Sequence, residues 1–207
     1  MKTVILPASD EAIQQALKIL ADGGLVAFPT DTVYGIGSLA FDGKAVESIY
    51  AAKDRPIEKA IPVLISEAAE MEKVGTNTPD IAHQLAARFW PGPLTCLIPK
   101  KPTLPESVSA TSTVGVRVPD HEVARALLRA AGPMAVTSAN VSGQSSPSTA
   151  EEVFTQLAGR IELIIDGGKT PGGIPSTVVD CTSDDLKILR EGPISLQEIR
   201  RKLSSPI

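Results

Sequence analysis

The sequence predicts an α/β fold: a single domain with a twisted, mixed parallel and antiparallel sheet flanked by helices. Three observations predict it. Helical spacings of apolar residues alternate with short β-like runs along the whole chain. Some neighbouring strands are joined by too few residues for a crossover helix, so part of the pairing is antiparallel. No linker, repeat or low-complexity stretch divides the 207 residues, and that length suits one domain. The domain is expected to cover 1–207. Its motif-bearing part is 10–193, and a short C-terminal helix and tail occupy 194–207.

Each element has a local reason. Residues 10–22 place Ile13, Ala16, Leu17 and Leu20 at helical spacing, and Gly23-Gly24 ends that helix. Residues 25–28 read as a short buried strand closed by Pro29. A second helix is expected at 42–53, with Val46, Ile49 and Tyr50 on one side. Residues 62–65 form the next strand and 66–74 a short helix. Thr78 followed by Pro79 reads as an N-cap with proline at the first helical position, for a helix ending near Phe89. After a strand at 94–98, Val114, Val116 and Val118 alternate with Gly115 and Arg117, which turns Arg117 away from the apolar face. Asp120 reads as the cap of a helix to Ala131, and 134–137 as a strand. Ser148 and Glu151 have capping-box spacing, opening a helix to Leu157. Strands follow at 163–165, 177–179 and 186–189. Ser195 and Glu198 form a second capping box before the last helix.

Composition narrows the function classes. Hydrophobic residues make up 43% and charged residues 21% of the chain, unlike a disordered, fibrous or coiled-coil protein. Uncharged apolar runs reach only about six residues, too short to span a bilayer. The first seven residues are too short for a secretory signal, so a cytoplasmic protein without membrane association is expected. The net charge of −4 provides no global basic field, so an anion site must be a local cluster. Aromatic residues, at 3%, are too few for an array of base-stacking platforms. Cys96 and Cys181 lie far apart in apolar strand-like runs, which suits small buried hydrophobes and argues against zinc or a disulfide framework. The two histidines, His83 and His121, fall on expected helices. There is no G-x-S-x-G, Walker lysine loop or GxGxxG.

The unusual residues sit in loops just after strands, where binding groups gather in open α/β sheets. Residues 29–37, PTDTVYGIG, pack two threonines, an aspartate and a tyrosine between a strand and two glycines. Local turn chemistry accounts for them as readily as a site does. Lys53, Arg55 and Lys59 fall within seven residues at a helix C-terminus. The dipole favours cations there anyway, but such a cluster could also clamp a polyphosphate. Residues 137–143, TSANVSG, run from a strand into a small polar loop, which is either a turn or a phosphate cradle. Ser148 reads as a helix N-cap, and a helix N-terminus is also an anion site. Arg117 on a Val/Gly strand wants a carboxylate partner, from the protein or from a substrate. A glycine-rich loop enters the strand after Ser176, and Arg190 ends another strand.

Seven segments in order, PTDTVYGIG (29–37), KDRPIEKAIPVLI (53–65), FWPGPLT (89–95), VGVRVPDH (114–121), TSANVSG (137–143), PSTVVD (175–180) and ILREGP (188–193), resemble the YrdC-like family, the threonylcarbamoyl-AMP synthases. The likeness spans 23–193. The family's K-x-R and S-x-N signatures stand here as Lys53/Arg55 and Ser138/Asn140. The resemblance implies a positively charged concave cavity on one face of the sheet. It also implies a nucleotidyltransferase reaction: L-threonine, bicarbonate or CO2, and ATP give threonylcarbamoyl-AMP, pyrophosphate and water, with Mg2+ accompanying ATP. A separate transferase would then use the product on the tRNA adenosine beside the anticodon, and a weaker affinity for tRNA or double-stranded RNA is a property of some members. By the same resemblance Lys53, Arg55, Ser138 and Asn140 would be catalytic. Thr32, Arg117, Ser138 and Ser176 would hold threonine. Lys53, Arg55, Lys59, Thr113, Asn140, Ser148 and Arg190 would hold ATP. Lys53 and Arg55 are expected to stand exposed in the cavity. Leu64 departs from the family, some of whose members carry a histidine there. The extra C-terminal domain of longer relatives is expected to be absent.

Overall fold

A computed structural model of the chain describes residues 2–171, 173–183 and 185–204. Its strands are β1 (Val4–Pro7), β2 (Val26–Phe28), β3 (Gly35–Leu39), β4 (Val63–Leu64), β5 (Leu94–Pro99), β6 (Thr113–Arg117), β7 (Met134–Ser138), β8 (Leu163–Asp166), β9 (Thr177–Asp180) and β10 (Lys187–Arg190). They form one sheet in the order β1-β8-β2-β3-β7-β4-β6-β5-β9-β10. The pairs β1–β8, β8–β2, β4–β6 and β5–β9 are parallel, and the other five are antiparallel. The helices are α1 (Asp10–Ala21), α2 (Gly43–Lys53), α3 (Met71–Val74), α4 (Asp80–Phe89), α5 (Glu122–Ala131), α6 (Ala150–Leu157) and α7 (Leu196–Leu203). The mixed α/β architecture is the one the sequence predicts. Among the described residues no helix is long and apolar enough to cross a membrane.

Alternation along the strands gives the sheet two apolar faces. Ala27, Ile36, Val63, Cys96, Val116, Ala135, Ile164 and Val179 share one core with α2, α4, α6 and α7, through Ile49, Leu85, Val153 and Ile199 among others. Val26, Phe28, Leu64, Met134, Val136, Leu163 and Ile165 face the other way, against Ala16 and Leu20 of α1 and Ala124 and Leu127 of α5. Leu64 lies beside Arg117 in the β4–β6 register, so Arg117 occupies this second face. Cys96 and Cys181 are buried free thiols.

Several local expectations are corrected. Residues 35–39 are a strand rather than the tail of a loop; its two glycines hide the alternation. The reason for Gly35 is steric, since a Cβ there would stand 2.7 Å from Val136 Cγ1. Pro79, with φ −65°, takes the N-cap position of α4, and the Thr78 hydroxyl is buried with no partner among the described residues. His121, not Asp120, is the N-cap residue of α5, and its side chain makes no capping bond. The capping box of α6 is shifted by one residue: Thr149 accepts from the Glu152 amide at 3.3 Å. Glu152 reaches back to Ser148, taking its amide at 2.6 Å and its hydroxyl at 3.1 Å. Ser195 caps α7 as expected, accepting from Glu198 N at 3.2 Å. The helix expected at 66–74 is a 3-10 turn at Ala68–Glu70 running into α3, and β1 is a strand the sequence reading did not expect. The other ends differ by a residue or two, as hydrogen-bonded boundaries usually do.

Candidate active site

The loop between β2 and β3 is built by its own hydroxyls. Thr30 Oγ1 donates to Val33 O at 2.7 Å and accepts from the Thr32 amide at 3.2 Å. This turn places Asp31 and Thr32 against β6, where both meet Arg117. Arg117 Nη1 donates to Thr32 Oγ1 at 3.2 Å, Nη2 to the Asp31 carboxylate, and Nε to Gly92 O at 3.0 Å. The guanidinium is thus fixed on three sides at 5% exposure. Burial draws its pKa down against the opposing pull of Asp31, yet an arginine remains a cation.

Ser176 closes the opposite side. Its hydroxyl lies 2.9 Å from Thr95 Oγ1 on β5. Arg190, at the end of β10, grips it with a fork: Nε and Nη2 donate to Ser176 O at 3.1 and 2.8 Å, and Nη2 to Ser176 Oγ at 3.1 Å. Arg55 folds over its own loop, donating to Lys59 O at 3.1 Å and Ala60 O at 3.0 Å.

These groups line one cavity of about 170 Å3. Its wall contains Thr30, Thr32, Thr95, Thr137, Ser138 and Ser176, an apolar strip of Val33, Pro62, Leu64 and Val136, and Arg55, Arg117 and Arg190. No carboxylate is among the described lining residues. Arg190 senses the other two: burial first, then Arg117 and Arg55, lower its pKa. Arg55 and Arg190 are matched here by carbonyl and hydroxyl oxygens rather than acids. Three cations held in a partly dry pocket, with one acid behind Arg117, make a strong anion receptor.

All four residues expected to hold threonine, Thr32, Arg117, Ser138 and Ser176, line this cavity. The expected ATP set divides. Arg55 and Arg190 line the cavity, whereas Lys59 is exposed outside its lining. Thr113 stands at the far end of β6 from Arg117, with its hydroxyl 3.1 Å from Thr111 Oγ1. Ser148 lines a separate groove of about 530 Å3 with Ser145, Ser146, Glu152, Gln156 and Lys169. Asn140 spends its amide on its own loop, donating to Val141 O at 2.8 Å and Gln144 O at 2.9 Å. Its buried Oδ1 has no partner among the described residues.

Lys53 corrects the sequence reading outright. Rather than standing exposed in the cavity, it is 1% exposed, and its ammonium donates to Ser138 O and Asn140 O. The last turn of α2 faces the 138–142 loop, so the charge points into the molecule. Sequence reasoning also missed Asp31 and Thr95. Both sat in quoted motifs, and an acid three residues after a strand end was the available signal for Asp31.

Comparisons with known proteins place the chain among relatives of the same fold. A family model covering Sua5, YciO and YrdC proteins, described as "Telomere recombination", matches residues 18–192. The Bacillus subtilis protein named threonylcarbamoyl-AMP synthase is 43% identical over 197 residues, covering 94% of this chain and 57% of its own length. A crystal structure of Sua5 from Pyrococcus abyssi, complexed with L-threonine, superposes with a TM-score of 0.92 at 40% identity, covering 98% of this chain and 60% of that one. The chain therefore spans 57–60% of the length of these two relatives. E. coli YciO superposes with a TM-score of 0.84 at 28% identity, and the match covers 96% of this chain and 98% of YciO. With the family model matched over most of its length, the chain belongs to the Sua5/YciO/YrdC family.

Proposed function

We propose that the protein is an L-threonylcarbamoyladenylate synthase, joining L-threonine, bicarbonate or CO2, and ATP into threonylcarbamoyl-AMP with release of pyrophosphate and water. The observation that carries the reading is the convergence of Thr32, Arg117, Ser138 and Ser176 on one cavity with Arg55 and Arg190. The name of the Bacillus relative and the threonine-bound Sua5 structure support it. Arg117 has five N–H donors and three are engaged, so two remain for the amino-acid carboxylate. The hydroxyls of Thr32, Ser138 and Ser176 then orient its amino end.

The chemistry sets what the other groups must do. Carbamoylation needs the neutral amine, and a free α-amino group has a pKa near ~8. The carbamate oxygen then attacks the α-phosphorus of ATP in line with departing pyrophosphate. Both reactants are anionic. Arg55 and Arg190 offset that repulsion and the charge that builds on the phosphoryl oxygens. Lys59, Thr113, Asn140 and Ser148 are proposed as outer contacts to ATP. Among the described residues no three His, Cys, Asp or Glu side chains gather, so Mg2+ is proposed to arrive on the ATP phosphates, whose charge it neutralises. Holding both reactants in one cavity supplies much of the rate. The product would pass, in the cytoplasm, to a transferase acting on the tRNA adenosine beside the anticodon, and a weaker affinity for tRNA or double-stranded RNA belongs to the same reading.

The test is pyrophosphate release from ATP with Mg2+. Release that needs both L-threonine and bicarbonate, with threonylcarbamoyl-AMP in the mass spectrum, is expected. Folded protein that releases none, yet binds tRNA in a salt-sensitive way, would replace the synthase with a nucleic-acid-binding module.

A further inference from the structure

Lys53 is the one member of the expected phosphate set whose charge is wholly inside the protein. Its backbone and side chain hold the same loop: Lys53 O accepts from Ser142 N at 2.7 Å, and the ammonium donates to Ser138 O and Asn140 O. Between those two carbonyls the chain leaves β7 and turns. Other bonds brace the turn, but among the described residues only Lys53 holds its Ser138 and Asn140 carbonyls together. Asn140 braces it internally, Ala139 N donates to Tyr34 O at 2.8 Å and Val141 N to Gln156 Oε1 at 3.1 Å. Ser138, the residue at the start of the turn, is also a cavity wall.

We infer that Lys53 is a positioning residue: its ammonium clamps the 138–142 turn so that Ser138 presents its hydroxyl to the amino-acid side of the cavity, and it is not a phosphate ligand. The catalytic consequence rests on the synthase reading; the clamp itself does not. Its surroundings fit a clamp better than a phosphate site. Both acceptors are neutral carbonyls. Asp54, the adjacent acid, is turned outward to Arg160 at 2.6 Å. Burial, and then the like charge of Arg55, pull the Lys53 pKa from 10.5 to about 7. A group built to meet phosphate would be expected to face the cavity, as Arg55 and Arg190 do.

The two roles separate by which substitution rescues. Lys53→Met keeps the volume and removes the donors. Lys53→Gln keeps two N–H donors without the charge, and Lys53→Arg keeps the charge with a different shape. Hydrogen exchange of the peptide spanning 137–144 is read by mass spectrometry on the intact chain, beside calorimetric binding of L-threonine and the KM for ATP. In Lys53→Met, exchange in 137–144 is expected to speed up and threonine affinity to fall, each about 10-fold, while the ATP KM stays within about 2-fold. Lys53→Gln is expected to recover part of both, and Lys53→Arg neither. Unchanged exchange in Lys53→Met would overturn the clamp. So would a raised ATP KM with intact threonine affinity, or rescue by Arg and not by Gln. The exchange measurement needs no turnover, so it judges the clamp even if the wild-type protein makes no threonylcarbamoyl-AMP.

Discussion

Arg117 has most of its donors committed before any ligand arrives, to Gly92, Thr32 and Asp31. A side chain so fixed loses little entropy on binding and presents its remaining fork in one direction. Arg117→Ala is expected to weaken L-threonine binding by about 2–3 kcal/mol, some 30- to 150-fold, in a calorimetric titration. Lys53 gives a second expectation at this scale, with the opposite electrostatics. Its pKa is depressed from 10.5 to about 7 in the fold. Between those values the unfolded chain binds more protons than the folded one, so this residue's contribution to stability rises with pH. Its penalty is full below pH 7 and fades towards pH 10.5. In denaturant titrations the wild type should gain stability relative to Lys53→Met as pH climbs through that window. A flat difference would contradict the assignment. Of these residues, Arg117 was legible in the sequence because a lone cation interrupts an alternating valine strand. The burial of Lys53 was not. A lysine in the last turn of a helix is ordinarily solvated, and only the tertiary contact with the 138–142 turn directs it inward.

Elements hold these residues by their ends. The α6 cap was legible as a pattern but misplaced by one residue, because Ser148 and Thr149 are chemically equivalent candidates. Backbone geometry decides between them, and Thr149 has the extended φ of −132° at the cap. Thr149→Ala should therefore cost about 1 kcal/mol of unfolding free energy and Ser148→Ala under about 0.5 kcal/mol, measured by urea denaturation. The turn after β10 is under tighter constraint. A Cβ on Gly192 would stand 2.3 Å from Thr177 N and 2.6 Å from Pro175 O, and backbone cannot yield as a side chain does. Gly192→Ala should destabilise the protein by about 1–3 kcal/mol. It should also weaken substrate binding, since the segment displaced carries Ser176 and the Arg190 fork. The strand β3 was missed for a related reason: glycine at 35 and 37 is needed for close approach to β7, and glycine removes the periodic signal by which a strand is recognised.

Across the molecule, the face of the sheet that α1 and α5 cover also bears Leu64, Val136 and Arg117. The cavity floor is therefore hydrogen-bonded strand bearing Thr95, Arg117 and Ser138, while Thr32, Arg55 and Ser176 reach it from loops. Ligands that bind it should stabilise the whole fold by mass action. L-Threonine with ATP and Mg2+, each at about 100 times its dissociation constant, should add at least ~2.7 kcal/mol and raise Tm by several degrees. Calorimetry with and without the pair checks this. The fold class could be read from the alternation of helical and β-like segments. The strand order could not, because β1 pairs with β8 and β5 with β9, partners separated by long stretches of sequence. The cavity was legible as a set of motifs and not as a shape.

That order has a consequence for the protein as it is made. Arg190 belongs to β10 and Ser176 to the segment just before β9, while β1 finds its partner only when residue 163 has appeared. A ribosome-bound chain holding the first hundred residues has Asp31, Thr32 and Arg55 but neither the partner strand for its beginning nor the fork that closes the pocket. Synthesis must pass residue 190 before the cavity has all three of its arginines. A prematurely terminated chain should be inert, with its edge strands open to chaperones and proteases.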